Sequence, residues 1–158
     1  MRKLTFGKWL PAIAIVALCS TSFNSCSSDD NNDEVDNKDN NTYKVTVTIN
    51  NVETRDYISV TTVGGTSNSK MDVWKVNGVA RTGESAIGLG EQEFMGATKT
   101  YVVETTEPIR LLTAGVQIIN YGADLPFSYK IEKNNKVVID ENVTLKGDNT
   151  SFSKNYSF

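Results

Sequence analysis

The chain has 158 residues, with 16 basic and 19 acidic side chains and no histidine. The lack of histidine excludes Ser-His-Asp and Cys-His catalysis, His-ligated zinc and a histidine pH switch. From residue 43 onward, 12 basic side chains balance 13 acidic ones. This near-neutral charge argues against a basic module, so no nucleic-acid partner is predicted.

Residues 1–25 are predicted to be a signal segment for export. Arg2, Lys3 and Lys8 give the segment a basic start, and an apolar run of ten residues follows at positions 9–18. A membrane-spanning helix needs about 20 apolar residues to cross a hydrocarbon core of about 30 Å, so this run is too short to span. Its length and basic flank are typical of a signal peptide.

Two cysteines follow the apolar run, and one of them suits lipid attachment. Cys26 comes after the small residue Ser25, whereas Cys19 comes after the bulky Leu18, a poor fit to the small residue that a signal peptidase requires. We predict that Cys26 carries a lipid that anchors the chain to a membrane. The alternative is that the two cysteines are ordinary thiols or form a disulfide.

The residues around Cys26 resemble those of a known class of protein. The sequence FNSC at 23–26, followed by SSDD at 27–30, resembles the relaxed lipobox and acidic export tag of Bacteroidota-type surface lipoproteins, with Phe23 in place of the usual leucine. The resemblance implies that the acidic residues direct the lipoprotein across the outer membrane to the cell surface. The implied export signal comprises Ser27, Ser28, Asp29, Asp30, Asp33 and Glu34.

Residues 26–42 are predicted to form a disordered acidic tether that begins at the acylated cysteine. After Cys26 the segment has a single apolar residue, Val35, which cannot offset the entropy lost on ordering. Its acids superficially resemble a calcium loop. Counted from Asp29, however, the sixth position is Glu34 rather than glycine and the twelfth is Asn40 rather than glutamate. No metal site is predicted.

Residues 43–158 are predicted to form one domain built from short strands. Apolar and polar residues alternate over 43–49, and β-branched residues dominate 57–63. Asn77-Gly78 between two apolar runs predicts a tight hairpin, because both positions tolerate positive φ. A strand is predicted over 98–105. The apolar stretch 109–119 contains Gly115, which suggests a bulge or a break.

Further strands are predicted over 127–131, 137–139, 143–145 and 152–158, which gives eight to ten in all. Helical periodicity is not sustained in any window. The predicted fold class is therefore all-β, a two-sheet antiparallel β-sandwich of immunoglobulin-like or Greek-key type. The Cys-Trp-Cys pattern of true immunoglobulin domains is missing.

Catalytic patterns in the domain are weak. Glu91 and Glu93 would share one face of a strand and could act as paired carboxylates, but scattered acids on a solvated face give the same pattern. The S-x-x-K sequences at 67–70 and 151–154 lack the accompanying elements that give this motif its meaning. No enzyme activity and no cofactor are predicted, with a small carboxylate-dependent hydrolase as an alternative.

Binding residues are easier to suggest. In a two-residue hairpin Trp74 faces Arg81 across the strands, and a guanidinium over an indole forms a platform on which sugar rings can stack. Tyr57, Tyr101 and Tyr121 could extend this platform. The alternative is that Trp74 forms the core face of its hairpin together with Val76 and Val79. The segments 64–70 and 81–98, rich in glycine, are predicted to be contact loops.

These observations predict an outer-membrane lipoprotein that faces the cell exterior and carries a non-catalytic binding or adhesion module for a glycan or protein ligand. The alternative is an accessory subunit of an envelope complex, facing the periplasm or the exterior, that docks through a strand edge. An exposed Trp74 beside polar side chains would favour glycan binding. A buried Trp74 with a long unpaired edge would favour protein docking.

Overall fold

The computed structural model describes residues 38–158. The predicted signal segment, Cys26 and the acidic residues of the export signal lie outside the described residues. The described part contains ten strands and one short helix. In chain order these are β1 (Tyr43–Ile49), β2 (Tyr57–Gly65), β3 (Trp74–Val76), β4 (Val79–Ala80), β5 (Ala86–Gly90), α1 (Glu91–Met95), β6 (Thr100–Thr105), β7 (Leu111–Asn120), β8 (Leu125–Lys133), β9 (Lys136–Leu145) and β10 (Thr150–Ser157).

The strands form two antiparallel sheets. One has six strands in the order β4-β3-β6-β1-β8-β9, and the other has four in the order β10-β7-β2-β5. Strands next to each other in the chain often lie in different sheets, as in Greek-key sandwiches. The all-β, two-sheet antiparallel sandwich predicted from the sequence is therefore confirmed.

The core lies between the two sheets and follows from alternation along the strands. In β1 the side chains of Tyr43, Val45, Val47 and Ile49 are buried, and the residues between them are half-buried. Strand β7 repeats the pattern with Leu112, Ala114, Val116, Ile118 and Asn120 on the inner side. Because side chains point alternately to opposite faces, each sheet has one apolar face and one outward face.

Two tight turns depend on residues that tolerate the left-handed backbone conformation. Asn77 and Gly78 join β3 to β4 with φ of 48° and 80°, and Asn134 and Asn135 join β8 to β9 with φ of 51° and 62°. Positive φ at both central residues is the mark of a type I′ hairpin turn, for which Asn and Gly are preferred. The hairpin predicted at Asn77-Gly78 is confirmed.

The bulge or break suggested at Gly115 is wrong. Strand β7 pairs in continuous register with both β2 and β10. The absence of a side chain at Gly115 instead leaves room for two neighbouring side chains. A Cβ at this position would lie 3.1 Å from Asn155 Oδ1 and 3.3 Å from Thr61 Oγ1. The irregularity occurs between β8 and β9, where Ile131 pairs with Ile139 but Glu132 pairs with Val137.

The prediction that residues 81–98 form one long loop is wrong. It contains β5, which pairs with β2, and α1, which buries Phe94 completely. Strand β5 was not predicted because its sequence is rich in glycine. Gly88 and Gly90 occupy outward positions of β5, while Ile87 and Leu89 point into the core.

The folded part begins before residue 43, so the predicted tether is shorter than residues 26–42. Asn41 and Ile109 exchange two backbone hydrogen bonds, at 2.8 and 3.4 Å. Asp39 accepts hydrogen bonds from the backbone N–H and the hydroxyl of Ser67, at 2.6 and 2.9 Å. These contacts hold the chain against the sandwich from Asp39 onward.

Residues 38–158 include no helix with the length and apolar character needed to span a membrane.

Candidate binding surfaces

Trp74 does not form an exposed platform. It is only 1% exposed and belongs to the core, with its indole N–H 3.4 Å from the carbonyl oxygen of Ser85. Residues Trp74 and Val76 of β3 point inward, and Lys75 between them is half-buried. The alternative prediction, a core face made by Trp74, Val76 and Val79, is confirmed for Trp74 and Val76 and is wrong for Val79, which is 66% exposed.

Arg81 lies opposite Trp74 along the backbone, as the hairpin register requires. The Arg81 N–H donates to the Trp74 carbonyl at 2.9 Å. The two side chains separate, because the guanidinium is exposed and lies 3.5 Å from the carboxylate of Glu84. The predicted guanidinium–indole pair is therefore wrong, since the ring is buried in the core.

The three candidate tyrosines do not form one surface. Tyr57 begins β2 and is paired with Ile119 of β7, and Tyr121 follows the end of β7, so both lie at one end of the four-stranded sheet. They are 45% and 37% exposed. Tyr101 lies in the six-stranded sheet, where its ring packs edge-on against Phe94 with centroids 5.1 Å apart. Only Tyr57 and Tyr121 can serve one contact surface.

Glu91 and Glu93 do not share a strand face, because both lie in α1. The Glu93 carboxylate accepts the backbone N–H of Gly90 at 2.8 Å and thereby caps the helix. A carboxylate at the first turn is stabilised by the unpaired N–H groups and the dipole of the helix. The position of Glu93 is explained by this structural role.

A shallow groove of about 330 Å³ lies on the outward side of the six-stranded sheet. Thr48, Ser128 and Asn142 are direct neighbours across β1, β8 and β9. Two of these residues also contact side chains outside the groove. Thr48 Oγ1 lies 2.8 Å from Thr100 Oγ1, and the Asn142 carboxamide donates to Asp140 at 2.9 Å. The groove is lined by Thr48, Asn50, Pro126, Phe127, Ser128, Asn142, Val143 and Thr144, all uncharged.

Farther along the same outward face, charged side chains are paired with each other. Lys44 Nζ lies 2.9 Å from Glu132, Lys130 Nζ lies 3.6 Å from the same carboxylate, and Lys75 Nζ lies 3.3 Å from Glu104. The hydrogen bond from Lys44 lowers the pKa of Glu132, and the charges of Lys44 and Lys130 add to this effect. The outward face of the six-stranded sheet thus combines a charged half with an uncharged groove.

The outward face of the four-stranded sheet has a different composition. Sixteen of its outward strand positions, which we call the neutral face, carry no charge, and most of their side chains are small or absent; Gly65, also outward, is covered by Met71. A solvated surface has charge at about 25–35% of its positions, so four or five charged side chains would be usual here. The neutral face comprises Tyr57, Ser59, Thr61, Val63, Ala86, Gly88, Gly90, Leu111, Thr113, Gly115, Gln117, Ile119, Ser151, Ser153, Asn155 and Ser157.

The neutral face has a depression of about 170 Å³ bordered by Ser59, Thr61, Gln117 and Ser153 over the bare backbone of Gly115. Lys154 of the edge strand β10 also lines this depression, and the Glu93 carboxylate lies beside Gly90. Lys154 Nζ lies 3.4 Å from Glu141 of β9, in the other sheet.

Neither surface is marked by a sequence motif. They consist of common residue types, and only their placement on every second position of several strands brings them together. The signal that could have found the neutral face is the absence of Lys, Arg, Asp and Glu from the outward positions of β2, β5, β7 and β10. Reading that signal requires knowledge of which strands are neighbours.

Residues 38–158 contain no group of three or more acidic or cysteine side chains placed to hold a metal ion. The acids near the 50–56 and 120–124 loops have backbone partners instead. Asp56 accepts the N–H groups of Glu53 and Tyr121 at 2.8 and 2.9 Å, and Glu53 accepts that of Ala123 at 3.1 Å. The hydrogen bond from Ala123 and the charge of Arg55 lower the pKa of Glu53.

No protein-family model matches the chain, and no curated protein matches it significantly. Solved structures share its fold. A DUF4425 family protein from Bacteroides ovatus and a DUF4425 domain of unknown function from Bacteroides vulgatus each superpose with a TM-score of 0.55 and 11% identity, over 74% of this chain and 93% and 92% of theirs. The calcium-bound form of a protein from Parabacteroides distasonis superposes with a TM-score of 0.55 and 16% identity, over 73% of this chain and 92% of its own.

Proposed function

We propose that this protein is an outer-membrane lipoprotein, anchored through Cys26 and displayed on the cell exterior, whose β-sandwich is a non-catalytic binding module. The observation that supports a binding role most directly is the groove on the six-stranded sheet, where hydroxyl and carboxamide groups line about 330 Å³ without a charged side chain. Such groups can donate and accept hydrogen bonds without requiring a charged ligand. An uncharged glycan is therefore the ligand that we propose for the groove.

Binding rather than catalysis is proposed because the groove lining contains no titratable side chain. General acid–base chemistry needs such a group within hydrogen-bond reach of the reacting atom. The Asp140 carboxylate lies next to the groove. It accepts a hydrogen bond from Asn142 and thereby orients that carboxamide. In the proposal Asn142, Ser128 and Thr48 hold a sugar ring by its hydroxyl groups.

Affinity electrophoresis of the detergent-solubilised full chain tests glycan binding, with dextran, mannan or xylan in the gel and acidic polygalacturonate as the contrast. We expect retardation by at least one neutral polysaccharide, which Asn142→Ala and Ser128→Phe abolish. Gln92→Ala removes an exposed carboxamide from α1, outside the groove, and should change nothing. Retardation by polygalacturonate alone, no retardation, or retardation that survives both groove variants would refute the glycan proposal.

Anchoring and display have separate tests. Cys26→Ala should move the protein from the detergent phase to the aqueous phase on phase separation. Protease added to intact cells should remove the domain of the wild type and spare a variant with alanine at 29, 30, 33 and 34. If the wild-type domain is protected while a periplasmic control protein is also intact, the protein faces inward and surface display is wrong.

A second candidate is protein docking through an edge strand, and two observations favour it. Trp74 is buried, and within residues 38–158 no strand pairs with the outer side of the ten-residue β9. On that strand Val137 and Val138 are 54% and 40% exposed. An open strand edge can accept an added strand from a partner. Val137→Lys should abolish such docking without effect on retardation by a polysaccharide.

A further inference from the structure

We infer that the neutral face is the contact surface between two copies of this chain, which pair face to face through their four-stranded sheets. This inference is independent of the ligand proposed for the groove, which lies on the opposite sheet. The first argument is charge. A surface that meets its own copy brings each charge close to an identical charge, and like charges at an interface are strongly unfavourable. The sixteen positions of the neutral face carry none.

The second argument is the shape of the surface. Glycine or alanine occupies the three outward positions of β5, and Gly115 occupies the centre of β7. Cβ atoms added at Gly88 would meet nothing within 4 Å, so the space above this strand is open. Small side chains on these strands leave room for a second sheet to approach closely.

The third argument is the symmetric placement of two apolar side chains. Leu111 and Ile119 lie four residues on either side of Gly115 in β7; Leu111 is 50% exposed and Ile119 is half-buried. The rest of the central row is Gly88, Thr61 and Asn155, which are neighbours of each other and of Gly115 across the sheet. A two-fold axis along this row places Ile119 of one copy over Leu111 of the second copy, twice.

The same axis gives the exposed tyrosines an apolar partner. It moves the Tyr57 end of one copy over the far end of β2 in the second copy, where the Met71 side chain lies over Gly65. Met71 is 41% exposed. Contacts between a methionine sulfur and an aromatic ring are favourable. Depletion of charge and exposed tyrosine and methionine are also features of protein interfaces, whereas the four serines of the neutral face are not.

The area is sufficient for a specific contact. Four strands about 4.8 Å apart and nine residues at about 3.3 Å each cover about 500 Å². Two such faces bury about 1,000 Å², and Tyr121 and Met71 at the ends add to this area. A specific interface needs about 1,000 Å² or more in total. A shared membrane anchor would also raise the local concentration of the two copies.

Chemical cross-linking on cells tests the inference with the full chain. Thr61 lies on the proposed axis and facing sheets pack about 10 Å apart, so a short bismaleimide should join Thr61→Cys of one copy to the same residue of the other as a covalent dimer. Thr46→Cys, in a central strand of the other sheet, is the matched control and should give no covalent dimer. A Thr61→Cys product cross-linked to a different protein, or no product above the control, would refute the inference.

Sedimentation of the detergent-solubilised full chain gives a second readout. We expect the wild type and Thr46→Glu to be dimers and Thr61→Glu to be a monomer, with at least a tenfold weaker self-association, and with unchanged circular dichroism in all three. A wild type that stays monomeric at about 100 μM would overturn the inference. A dimer that persists in Thr61→Glu would also overturn it, because the contact would then lie on another surface.

Discussion

Asn120 offers the sharpest test of what holds the loops at one end of the sandwich. Its side chain is fully buried, and its carboxamide N–H groups donate to the carbonyl oxygens of Ala123, Gly147 and Leu145 at 2.9, 2.9 and 3.3 Å. Its carbonyl oxygen accepts the N–H of Gly122 at 2.9 Å. One side chain thus links the turn between β7 and β8 to the end of β9.

Replacement of Asn120 by alanine should destabilise the domain by about 3 kcal/mol. The estimate counts three hydrogen bonds of 2.9 Å at about 1 kcal/mol each, because their backbone partners are left without a replacement in a buried site. For a domain of this size the melting temperature should fall by about 12 °C. Urea unfolding and thermal unfolding measure both quantities. Asn155→Ala removes an exposed carboxamide from β10 and should cost less than about 0.5 kcal/mol.

Asn120→Asp separates the hydrogen bonds from the space that the side chain fills. The carboxyl group keeps the shape but, when ionised, places negative charge against three carbonyl oxygens. Burial and these carbonyls should raise the pKa of the new carboxyl group, so the variant should lose stability as the pH rises from about 4 to 7. An Asn120→Ala cost within about 1 kcal/mol of the Asn155→Ala cost, or an Asn120→Asp variant indifferent to pH, would refute this account.

Two further predictions concern the core and the alkaline limit of stability. Burial raises the pKa of Tyr156 to about 12, and its hydrogen bond to Glu141 contributes. The stability from this neutral phenol is present below pH 10 and is lost as the pH rises to about 12, so urea unfolding should show a smaller loss over that range in Tyr156→Phe. Gly64→Ala would place a Cβ 2.6 Å from the backbone oxygen of Leu111 and should cost about 2 kcal/mol or more, whereas Gly96→Ala meets nothing within 4 Å and should stay within about 1 kcal/mol of the wild type. Equal unfolding midpoints for the two glycine variants would contradict this reasoning.

The fold class could be predicted because each strand carries its own alternating pattern. The alternation over Tyr43–Ile49 predicts a strand with one buried face, and Asn77-Gly78 predicts a type I′ turn. Neither prediction requires knowledge of any other part of the chain. Strand β5 could not be predicted in this way. Its outward residues are glycine and alanine, so only Ile87 and Leu89 show the alternation of a strand. Its pairing with β2 depends on the tertiary structure.

The candidate binding residues were predicted less well because side-chain direction depends on which face of a hairpin meets the core. Trp74 and Arg81 are cross-strand neighbours in either case. The ring turns inward because Trp74 and Val76 share the parity of the buried positions of β3. The exposed guanidinium of Arg81 then forms an ion pair with Glu84, three residues later in the chain. Local sequence sets the register of a hairpin but not the orientation of the hairpin in the sandwich.

The contrast between the two outward faces is not required by the fold. The core is built by inward residues, and lysine, glutamate or threonine at an outward strand position is compatible with the same backbone. The outward face of the six-stranded sheet shows this, since it accommodates Lys44, Lys130 and Glu132. Exclusion of charge from the neutral face therefore has a cause outside the domain's own stability. Burial against a second copy supplies that cause, because burial imposes a cost on a charge that water would otherwise solvate. The same reasoning underlies the comparison of Thr61→Glu with Thr46→Glu. Both place a carboxylate on the outward side of a central strand, where Thr61 is exposed and Thr46 is half-buried beside Lys130, and they differ in which sheet receives the charge.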